Sequence, residues 1–310
     1  MPINSINSVA PPFLIKGDFI EIVAPARYVS KKEIHFAIQL IKKAGFNVKI
    51  NSRLFDKKNI FSGDIVSRTN NLQNALDSVD TKAILFARGG YGTIQIIDYL
   101  NFEKFKNSPK WLIGFSDITT ILTHVYTVYN IQSIHGPMPF NFAQTNKNHV
   151  INLFDILKGK INNLKCIRNK FDILGSGSGR LFGGNLSILC SLIGSRSFIL
   201  NKQKIILFIE DLDEYLYHIE RMLYTLDRSG LFKRVEGLII GKMKNILDNE
   251  IGFGKSTNRL ILDIVDKYHF PVCFDFPIGH DINNSPLVIG SNVTLEINKY
   301  DTNLFFQDGR

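Results

Sequence analysis

The sequence has few cysteines and no long hydrophobic run, and both absences narrow the class of protein. Its 310 residues include only three cysteines, Cys166, Cys190 and Cys273. Their odd number and wide spacing match no zinc motif and are typical of a reducing compartment. The longest purely apolar runs, such as residues 205–209, are far too short to cross a bilayer. We therefore expect neither a metal site nor a membrane segment.

The sequence also lacks a recognisable export signal and a basic cluster. The opening stretch, MPINSINSVAPPFLIKG, has no charged n-region and no apolar h-region, which favours a soluble cytoplasmic protein. The net charge is +9, but the lysines are scattered, with no run longer than two. Since nucleic-acid binding needs basic residues concentrated on one face, we expect no nucleic-acid partner.

Strand-like and helix-like segments alternate through the first half of the chain. Short apolar stretches predict strands, and longer stretches with an apolar residue every three or four positions predict helices. Strands and helices that alternate at these lengths indicate βαβ units, and hence a parallel sheet. The predicted strands cover 18–26, 46–50, 82–87 and 111–115, and the predicted helices cover 30–45, 64–79, 92–102 and 118–129.

The regular alternation of predicted strands and helices ends near residue 160. Residues 158–180 are polar and rich in glycine and serine, so we interpret them as a connection into a second region. That region mixes both kinds of element. Its predicted helices cover 185–194, 216–230 and 259–269, and its predicted strands cover 204–210, 236–243 and 292–297.

The segment ARGGYGT, residues 87–93, follows a predicted strand and is rich in glycine. Gly89, Gly90 and Gly92 permit positive φ angles and close approach of a ligand to the backbone. Their spacing differs from the G-x-G-x-x-G motif of dinucleotide-binding proteins. Two interpretations stay open: a tight turn, or an anion-binding turn at the carboxyl end of a parallel strand.

The segment GFGKST, residues 252–257, resembles half of a phosphate-binding loop. The full motif needs a glycine where this chain has Asn249, and no strand leads directly into the segment. We interpret it as a loop with Ser256 or Thr257 near a helix N-cap. A nucleotide-binding role would depend on Lys255.

The segment GFSDI places Ser116 between a predicted strand and a predicted helix. A sharp turn there would expose the hydroxyl of Ser116 and aim the amide of Asp117 at a developing oxyanion. Ile118 stands where the α/β-hydrolase motif has its last glycine. Because serine and aspartate are preferred at helix starts, the local sequence favours a helix cap over a nucleophile.

A serine nucleophile needs a base and a group that orients the base. His280 lies in a loop punctuated by proline and glycine, and His135 precedes another loop, so both are candidates for the base. Glu210 and Asp211 end an apolar strand and are candidates for the acid. Spacing alone does not bring any of them to Ser116. The other histidines are His35, His124, His149, His218 and His269.

Six motifs in one order resemble a known family. They are RGGYG, GFSDIT, HGPM, GRLFGGNLSILCSLIGS, FIEDLDEYLYHIERML and IGH. The chain resembles the LD-carboxypeptidases, serine peptidases of murein recycling that have microcin C immunity peptidases as relatives. The resemblance covers nearly the whole chain. It implies an α/β fold, with a Rossmann-like or flavodoxin-like parallel-sheet domain in residues 1–160 and a smaller, β-rich domain in residues 161–310.

The resemblance also implies a catalytic mechanism. Ser116 matches the family's nucleophile, His280 its general base and acid, and Glu210 the residue that orients the histidine. The backbone amides of Gly90 and Asp117 match its oxyanion donors. The implied reaction releases D-alanine from murein tetrapeptide without a metal or cofactor. The resemblance further implies a homodimer with a small peptide substrate.

Some contacts and some alternatives stay open at this point. Arg88, beside Gly89 in the glycine turn, is a candidate for binding the substrate's terminal carboxylate. The family often has proline at the position of Leu216 and arginine at that of His218, and the proline of the loop after His280 is displaced to Pro286. Hydrolysis of a peptidyl or aminoacyl nucleotide, and non-catalytic ligand binding, are the alternatives to tetrapeptide hydrolysis.

Overall fold

The computed structural model describes residues 8–199 and 203–307. Within these ranges no helix is both long and apolar enough to span a membrane. The helices are α1 (Lys31–Lys43), α2 (Ile65–Asp77), α3 (Glu103–Asn107), α4 (Thr119–Tyr129), α5 (Lys147–Leu157), α6 (Leu186–Leu192), α7 (Leu216–Arg228) and α8 (Thr257–Val265). The strands are β1 (Phe19–Val23), β2 (Asn47–Ile50), β3 (Thr81–Phe86), β4 (Trp111–Gly114), β5 (Ser133–His135), β6 (Leu164–Ile167), β7 (Gly175–Asn185), β8 (Ile205–Leu212), β9 (Val235–Lys244), β10 (Val272–Cys273), β11 (Leu287–Ile289), β12 (Asn292–Ile297) and β13 (Asp301–Phe306).

The first sheet has the order β2-β1-β3-β4-β5-β11. The five strands from β1 to β5 run parallel, and β11 joins the edge antiparallel to β5. The order 2-1-3-4-5 is that of flavodoxin-like sheets. The prediction of an α/β fold with an N-terminal parallel sheet is therefore confirmed. The edge strand β11 comes from the C-terminal half of the chain, so that half completes the first sheet.

Helices cover both faces of this sheet, which explains why its strands are apolar along their length. Ile22, Ile84 and Phe86 are fully buried in its core. Helix α1 begins with a capping box, in which the Ser30 side chain accepts from the amide of Glu33 and the Glu33 carboxylate accepts from the amide of Ser30. The predicted helices around α1, α2 and α4 are confirmed to within a few residues at each end.

The helix predicted over residues 92–102 is wrong. The structure has two short 3₁₀ turns there, Thr93–Gln95 and Ile97–Tyr99, before α3 begins. Gly92 enters the first turn with a φ of 134°, and the amide of Thr93 donates to the Asp117 carboxylate.

The second sheet has the order β10-β9-β8-β7-β12-β13-β6. Its strands β7, β8, β9 and β10 run parallel, whereas β12 pairs antiparallel with both β7 and β13. The parallel part is apolar, and Leu207, Phe208 and Ile239 are fully buried. Strands dominate this half of the chain, as the prediction of a β-rich C-terminal domain requires.

The connection predicted over residues 158–180 is also wrong in part. It contains β6 and the first half of β7, where the glycine-rich residues pair with β12. These glycines allow a close approach of neighbouring backbone: a Cβ built on Gly177 would lie 1.8 Å from the carbonyl oxygen of Glu236. Glycine is therefore required inside a strand at this position, although its propensity indicates a loop.

Replacing Gly177 with alanine should destabilise the fold. The new methyl group would overlap the Glu236 carbonyl, so the backbone of β7 or β9 must move. We expect a loss of about 1–3 kcal/mol in the free energy of unfolding, the usual cost of overpacking. Chemical denaturation of Gly177→Ala measures it, with exposed Ser176→Ala in the same strand as the control. Equal stability of the two variants would contradict the close approach.

Candidate active site

Ser116 occupies a strained turn directly after β4. Its φ is +63°, which is rare for a residue that is not glycine. Its side chain caps no helix, and Phe115 stands at the N-cap position of the 3₁₀ turn that follows. The helix-cap interpretation of Ser116 is therefore wrong. A serine in a strained strand-to-helix turn is typical of the nucleophile elbow, in which the strain exposes the hydroxyl.

The glycine turn after β3 packs directly against Ser116. A Cβ built on Gly89 would lie 2.9 Å from Ser116 Cβ, 3.1 Å from its Oγ and 3.4 Å from the amide nitrogen of Asp117. Gly90 has a φ of +109°, which side chains rarely tolerate. The two turns predicted at the carboxyl edge of the sheet are thus in contact, and glycine is what lets them meet.

The carboxylate of Asp117 joins these two turns. Its Oδ2 accepts from the amide of Thr93 at 2.9 Å and from the Thr93 hydroxyl at 2.5 Å. The side chain is buried, and burial raises its pKa, an effect that the Thr93 hydrogen bonds oppose. The interpretation of this carboxylate as a simple helix-start group is wrong, because it fixes the glycine turn instead.

Arg68 also holds the glycine turn, a role that no sequence motif indicates. This buried residue of α2 donates through Nη1 to the carbonyl oxygens of Pro25 and Gly92, both at 2.9 Å. Its Nη2 donates to the Gln95 side chain at 2.6 Å. In the sequence Arg68 is one polar residue of an amphipathic helix, so only the three-dimensional structure reveals the contact.

Glu210 and His280 form a hydrogen-bonded pair. Glu210, near the carboxyl end of β8, is completely buried, and its Oε2 lies 2.7 Å from His280 Nδ1. Gly279 allows this contact: a Cβ there would lie 2.7 Å from Glu210 Oε2. Of the two acids proposed from the sequence, Glu210 is the one that reaches a histidine.

Asp211, the other candidate acid, has a different role in the structure. Its carboxylate accepts from the Asn185 side chain and from the amides of Ser187 and Leu212, at 2.8–2.9 Å. Burial and the neighbouring charge of Glu210 raise its pKa to about 6. These contacts tie β8 to the start of α6, so Asp211 organises the backbone.

His135, the other candidate base, lies behind the site. It is completely buried between the rings of Phe115 and Phe208, with centroid distances of 5.9 Å and 5.1 Å. Burial lowers its pKa to about 4, which keeps the imidazole neutral at physiological pH. His135 does not reach the cavity that His280 lines.

The pair formed by Glu210 and His280 shifts the protonation of both groups. Burial alone would raise the pKa of Glu210 and lower that of His280. In each case the charge and hydrogen bond of the partner outweigh burial, so the pKa of Glu210 falls below its ordinary value and that of His280 rises above its own. Both shifts indicate an ionised carboxylate that stabilises a protonated imidazole.

Ser116 and His280 line one cavity of about 690 Å³, which lies between the carboxyl edges of the two sheets. Phe115 forms part of its wall, with its ring 4.8 Å from that of His280. In the described ranges no hydrogen bond joins the Ser116 hydroxyl to His280. Since Nδ1 is bound to Glu210, Nε2 is the nitrogen left for Ser116, and catalytic contacts of this kind often tighten only when substrate binds.

Arg88 also lines this cavity. Its guanidinium stacks on Phe140, with 3.9 Å from Cζ to the ring centroid, and lies 3.5 Å from the Glu33 carboxylate. The structure thus places this candidate carboxylate-binding residue in the cavity that Ser116 and His280 share. Arg27, which follows β1, lines the cavity beside Arg88, although no sequence motif marks it as a site residue.

The remaining candidates from the sequence lie elsewhere. Ser256 is the N-cap of α8, as predicted, and Lys255 is paired with Asp263 at 2.7 Å. His218, at a position where the family often has arginine, contacts the carboxylate of Glu214 on the cavity wall. Across the described residues, no group of three or more His, Cys, Asp or Glu side chains could hold a metal ion.

Comparison with known proteins assigns this arrangement to a family. The model of the LD-carboxypeptidase N-terminal domain matches residues 20–136, and that of the LD-carboxypeptidase C-terminal domain matches residues 178–295. The chain belongs to the LD-carboxypeptidase family. It is therefore a serine-type carboxypeptidase. Ser116 lies within the first matched range, and Glu210 and His280 lie within the second.

Individual LD-carboxypeptidases and related proteins are similar over most of their length. A Bacillus subtilis protein named "probable murein peptide carboxypeptidase" is 27% identical over 291 residues, which cover 92% of this chain and 91% of that protein. The microcin C7 self-immunity protein of Escherichia coli is 25% identical, covering 96% and 95%. The crystal structure of muramoyltetrapeptide carboxypeptidase from Oxalobacter formigenes superposes with a TM-score of 0.85 at 25% identity, covering 93% and 98%.

The geometry of this LD-carboxypeptidase predicts the titration of His280. We expect His280 to titrate above its ordinary pKa of 6.5, and below that value in Glu210→Gln, where the charge is lost and burial dominates. Histidine NMR signals followed against pH measure both values. His149, whose pKa burial lowers, is the internal control and should titrate identically in the two proteins. A pKa of His280 that does not fall in the variant would refute the coupling.

Proposed function

We propose that the protein releases the terminal D-alanine of murein tetrapeptide, with Ser116 as nucleophile, His280 as general base and acid, and Glu210 as the group that orients the histidine. The observation that carries this proposal is the 2.7 Å contact between Glu210 and His280 on the cavity that Ser116 lines. The named function of its relatives, murein peptide and muramoyltetrapeptide carboxypeptidases, supports the substrate class.

The first half-reaction forms an acyl-enzyme. Because Glu210 accepts the hydrogen bond of His280 Nδ1–H, it fixes the tautomer in which Nε2 is free to accept a proton. His280 removes the proton of Ser116 as Oγ attacks the carbonyl carbon of the bond to D-alanine. The same imidazole then gives that proton to the leaving amine. D-Alanine leaves, and the tripeptide is held as an ester of Ser116.

The second half-reaction reverses these roles with water. His280 removes a proton from a water molecule, which attacks the ester carbonyl. Ser116 then leaves with the proton that His280 returns, and the tripeptide is released as a carboxylic acid. Throughout both steps the imidazolium is stabilised by the buried carboxylate of Glu210, consistent with the raised pKa of His280.

The amides of Gly90 and Asp117 are the proposed donors to the oxyanion. The glycine turn and the Ser116 turn are in contact, and the Asp117 carboxylate holds Thr93 at the end of the glycine turn. Such preorganised donors cost nothing to orient during the reaction, and each typically lowers the barrier by about 3 kcal/mol. In this role the side chain of Asp117 preserves the geometry that its own amide uses.

The charges of the cavity fit a substrate that carries both ammonium and carboxylate groups. Arg27 and Arg88 lie on the wall formed by the first sheet, whereas the opposite wall carries several carboxylates and one lysine. A peptide with separate ammonium and carboxylate groups matches this division, with its carboxylate beside the arginines and its ammonium beside the acidic wall. The residues of that wall are Asp211, Asp213, Glu214, Asp281 and Lys244.

The cytoplasmic location and the homodimer expected from the sequence stay predictions.

Ser116→Ala should abolish the release of D-alanine from murein tetrapeptide. Loss of a serine nucleophile typically lowers kcat by about 10⁶-fold, because acylation has no other route. D-Alanine quantified by a coupled oxidase assay measures the loss, and circular dichroism with thermal unfolding checks that the variant is folded. Cavity-lining Ser187→Ala, which keeps the amide that Asp211 binds, is the matched serine control. Undiminished release by folded Ser116→Ala would disprove the mechanism.

A direct comparison of substrates tests the preference for a peptide. We expect kcat/KM for murein tetrapeptide to exceed that for an aspartyl-adenylate analogue by at least about tenfold, since the separate ammonium and carboxylate groups of the peptide match both walls of the cavity. Steady-state assays of D-alanine and of released aspartate supply the two values. Faster cleavage of the adenylate would instead assign the chain the activity of an aminoacyl-nucleotide hydrolase.

A further inference from the structure

Arg27 and Arg88 follow the two strands between which the order of the first sheet reverses. Arg27 lies in the loop after β1, Arg88 lies in the loop after β3, and β1 is flanked by β2 on its other side. In open parallel sheets the crevice at this reversal, outside the carboxyl ends of the strands, is where ligands bind. Both arginines line the cavity that contains Ser116.

The side chain of Arg27 lies against the glycine turn. A Cβ built on Gly90 would lie 2.2 Å from Arg27 Cδ and 2.6 Å from its Cγ. Its Nε is buried without a hydrogen-bond partner among residues 8–199 and 203–307, and within the same ranges no carboxylate forms an ion pair with Arg27. The aliphatic stem suffices to cover Gly90, so the packing of the turn does not require a charged end group.

The carboxylate that pairs with Arg88 also has a second partner. Glu33 lies 3.5 Å from Arg88 Nη1, but it also accepts from the amide of Ser30 at 2.6 Å as part of the helix cap. Burial lowers the pKa of Arg88, and the nearby charge of Arg27 lowers it further. Among the described residues, Glu33 is the one carboxylate that forms an ion pair with either arginine, so the arginine side of the cavity carries a positive charge that an anion can match.

We propose that Arg27 and Arg88 together bind a carboxylate of the peptide substrate, and that Arg27 is a specificity-determining residue. This inference rests on the proposed peptidase function. A guanidinium group presents two parallel N–H donors that match a carboxylate, and such charge-assisted pairs are stronger than neutral ones. The acidic wall opposite repels anions, so the arginine side is where a carboxylate can be placed.

Three carboxylates of a murein tetrapeptide have this chemistry. They are the terminal carboxylate of D-alanine, the side-chain carboxylate of diaminopimelate when that residue is third in the peptide, and the α-carboxylate of the D-glutamate, which is linked through its γ-carboxyl. The diaminopimelate-type tetrapeptide carries all three, the lysine-type tetrapeptide lacks the second, and the diaminopimelate-type tetrapeptide with a C-terminal amide lacks the first. Affinities for these three peptides therefore distinguish the sources.

The test replaces Arg27 while preserving its stem over Gly90. Arg27→Gln removes the charge, and Arg27→Lys retains charge but loses the forked donors. Each is combined with Ser116→Ala, and peptide Kd is measured by calorimetry. We expect Arg27→Gln to weaken binding by about 10- to 100-fold, as for loss of a charged hydrogen bond, with a smaller effect of Arg27→Lys. Exposed Arg259→Gln, whose partner Asp263 is outside the cavity, is the matched control.

The three peptides then assign the carboxylate. If Arg27 binds the D-alanine carboxylate, Arg27→Gln weakens both free acids equally and leaves the amide unchanged. If Arg27 binds diaminopimelate, the variant weakens diaminopimelate peptides whether acid or amide, and leaves the lysine-type peptide unchanged. If Arg27 binds the D-glutamate carboxylate, the variant weakens all three peptides equally. Each of these patterns supports a carboxylate site. Equal Kd values for all three peptides in Arg27→Gln and its parent would overturn it.

Two further measurements distinguish a carboxylate site at Arg27 from a purely structural role of this residue and from failure of the proposed function. For this measurement Arg27→Gln is made alone, with Ser116 intact. An uncharged serine-directed phosphonate should react with this single variant at the rate of the unaltered enzyme, because the phosphonate carries no carboxylate; a loss of reactivity would show that Arg27 only supports the turn. Release of D-alanine by the otherwise unaltered enzyme is measured separately. If no tetrapeptide is cleaved, the proposed function fails, whereas cleavage with Kd values insensitive to Arg27 rejects only the carboxylate site.

Discussion

The buried carboxylate of Glu210 is the constraint on which the candidate site depends. An ionised group without solvent costs several kcal/mol unless a partner of opposite charge is held against it, and here His280 is that partner at 2.7 Å. Two glycines make room for the pair, since a Cβ on Gly241 or Gly279 would come within about 3 Å of the Glu210 side chain. The loop after β10 therefore follows a path that presents His280 to the cavity.

A second buried carboxylate organises the opposite side of the cavity. Asp117 links the Ser116 turn to the glycine turn through Thr93, and Arg68 anchors the same turn to the loop after β1. Each sheet thus supplies one rigid half of the site from the carboxyl ends of its strands. Such support matters because catalysis depends on geometry held before the substrate arrives.

Local sequence predicted the elements well where propensity and burial agree. The capping box at Ser30 and the apolar stripe of α1 are examples, and they place a helix where the structure has one. Prediction failed where a distant contact decides which residue a strand can hold: the carbonyl oxygen of Glu236 approaches Gly177 so closely that only glycine fits there. Glu236 is far from Gly177 in sequence, so no local pattern could have revealed this contact.

The site itself shows the same limit. Spacing could not choose between Glu210 and Asp211 or between His135 and His280; family motifs chose, and the observed contact agrees with that choice. Arg27 carried no motif and emerged only from the cavity. The most direct test of the central claim is mass spectrometry after inactivation with a serine-directed phosphonate. One adduct per chain, on the peptide containing Ser116, is expected; inactivation with the adduct on any other residue would contradict the account.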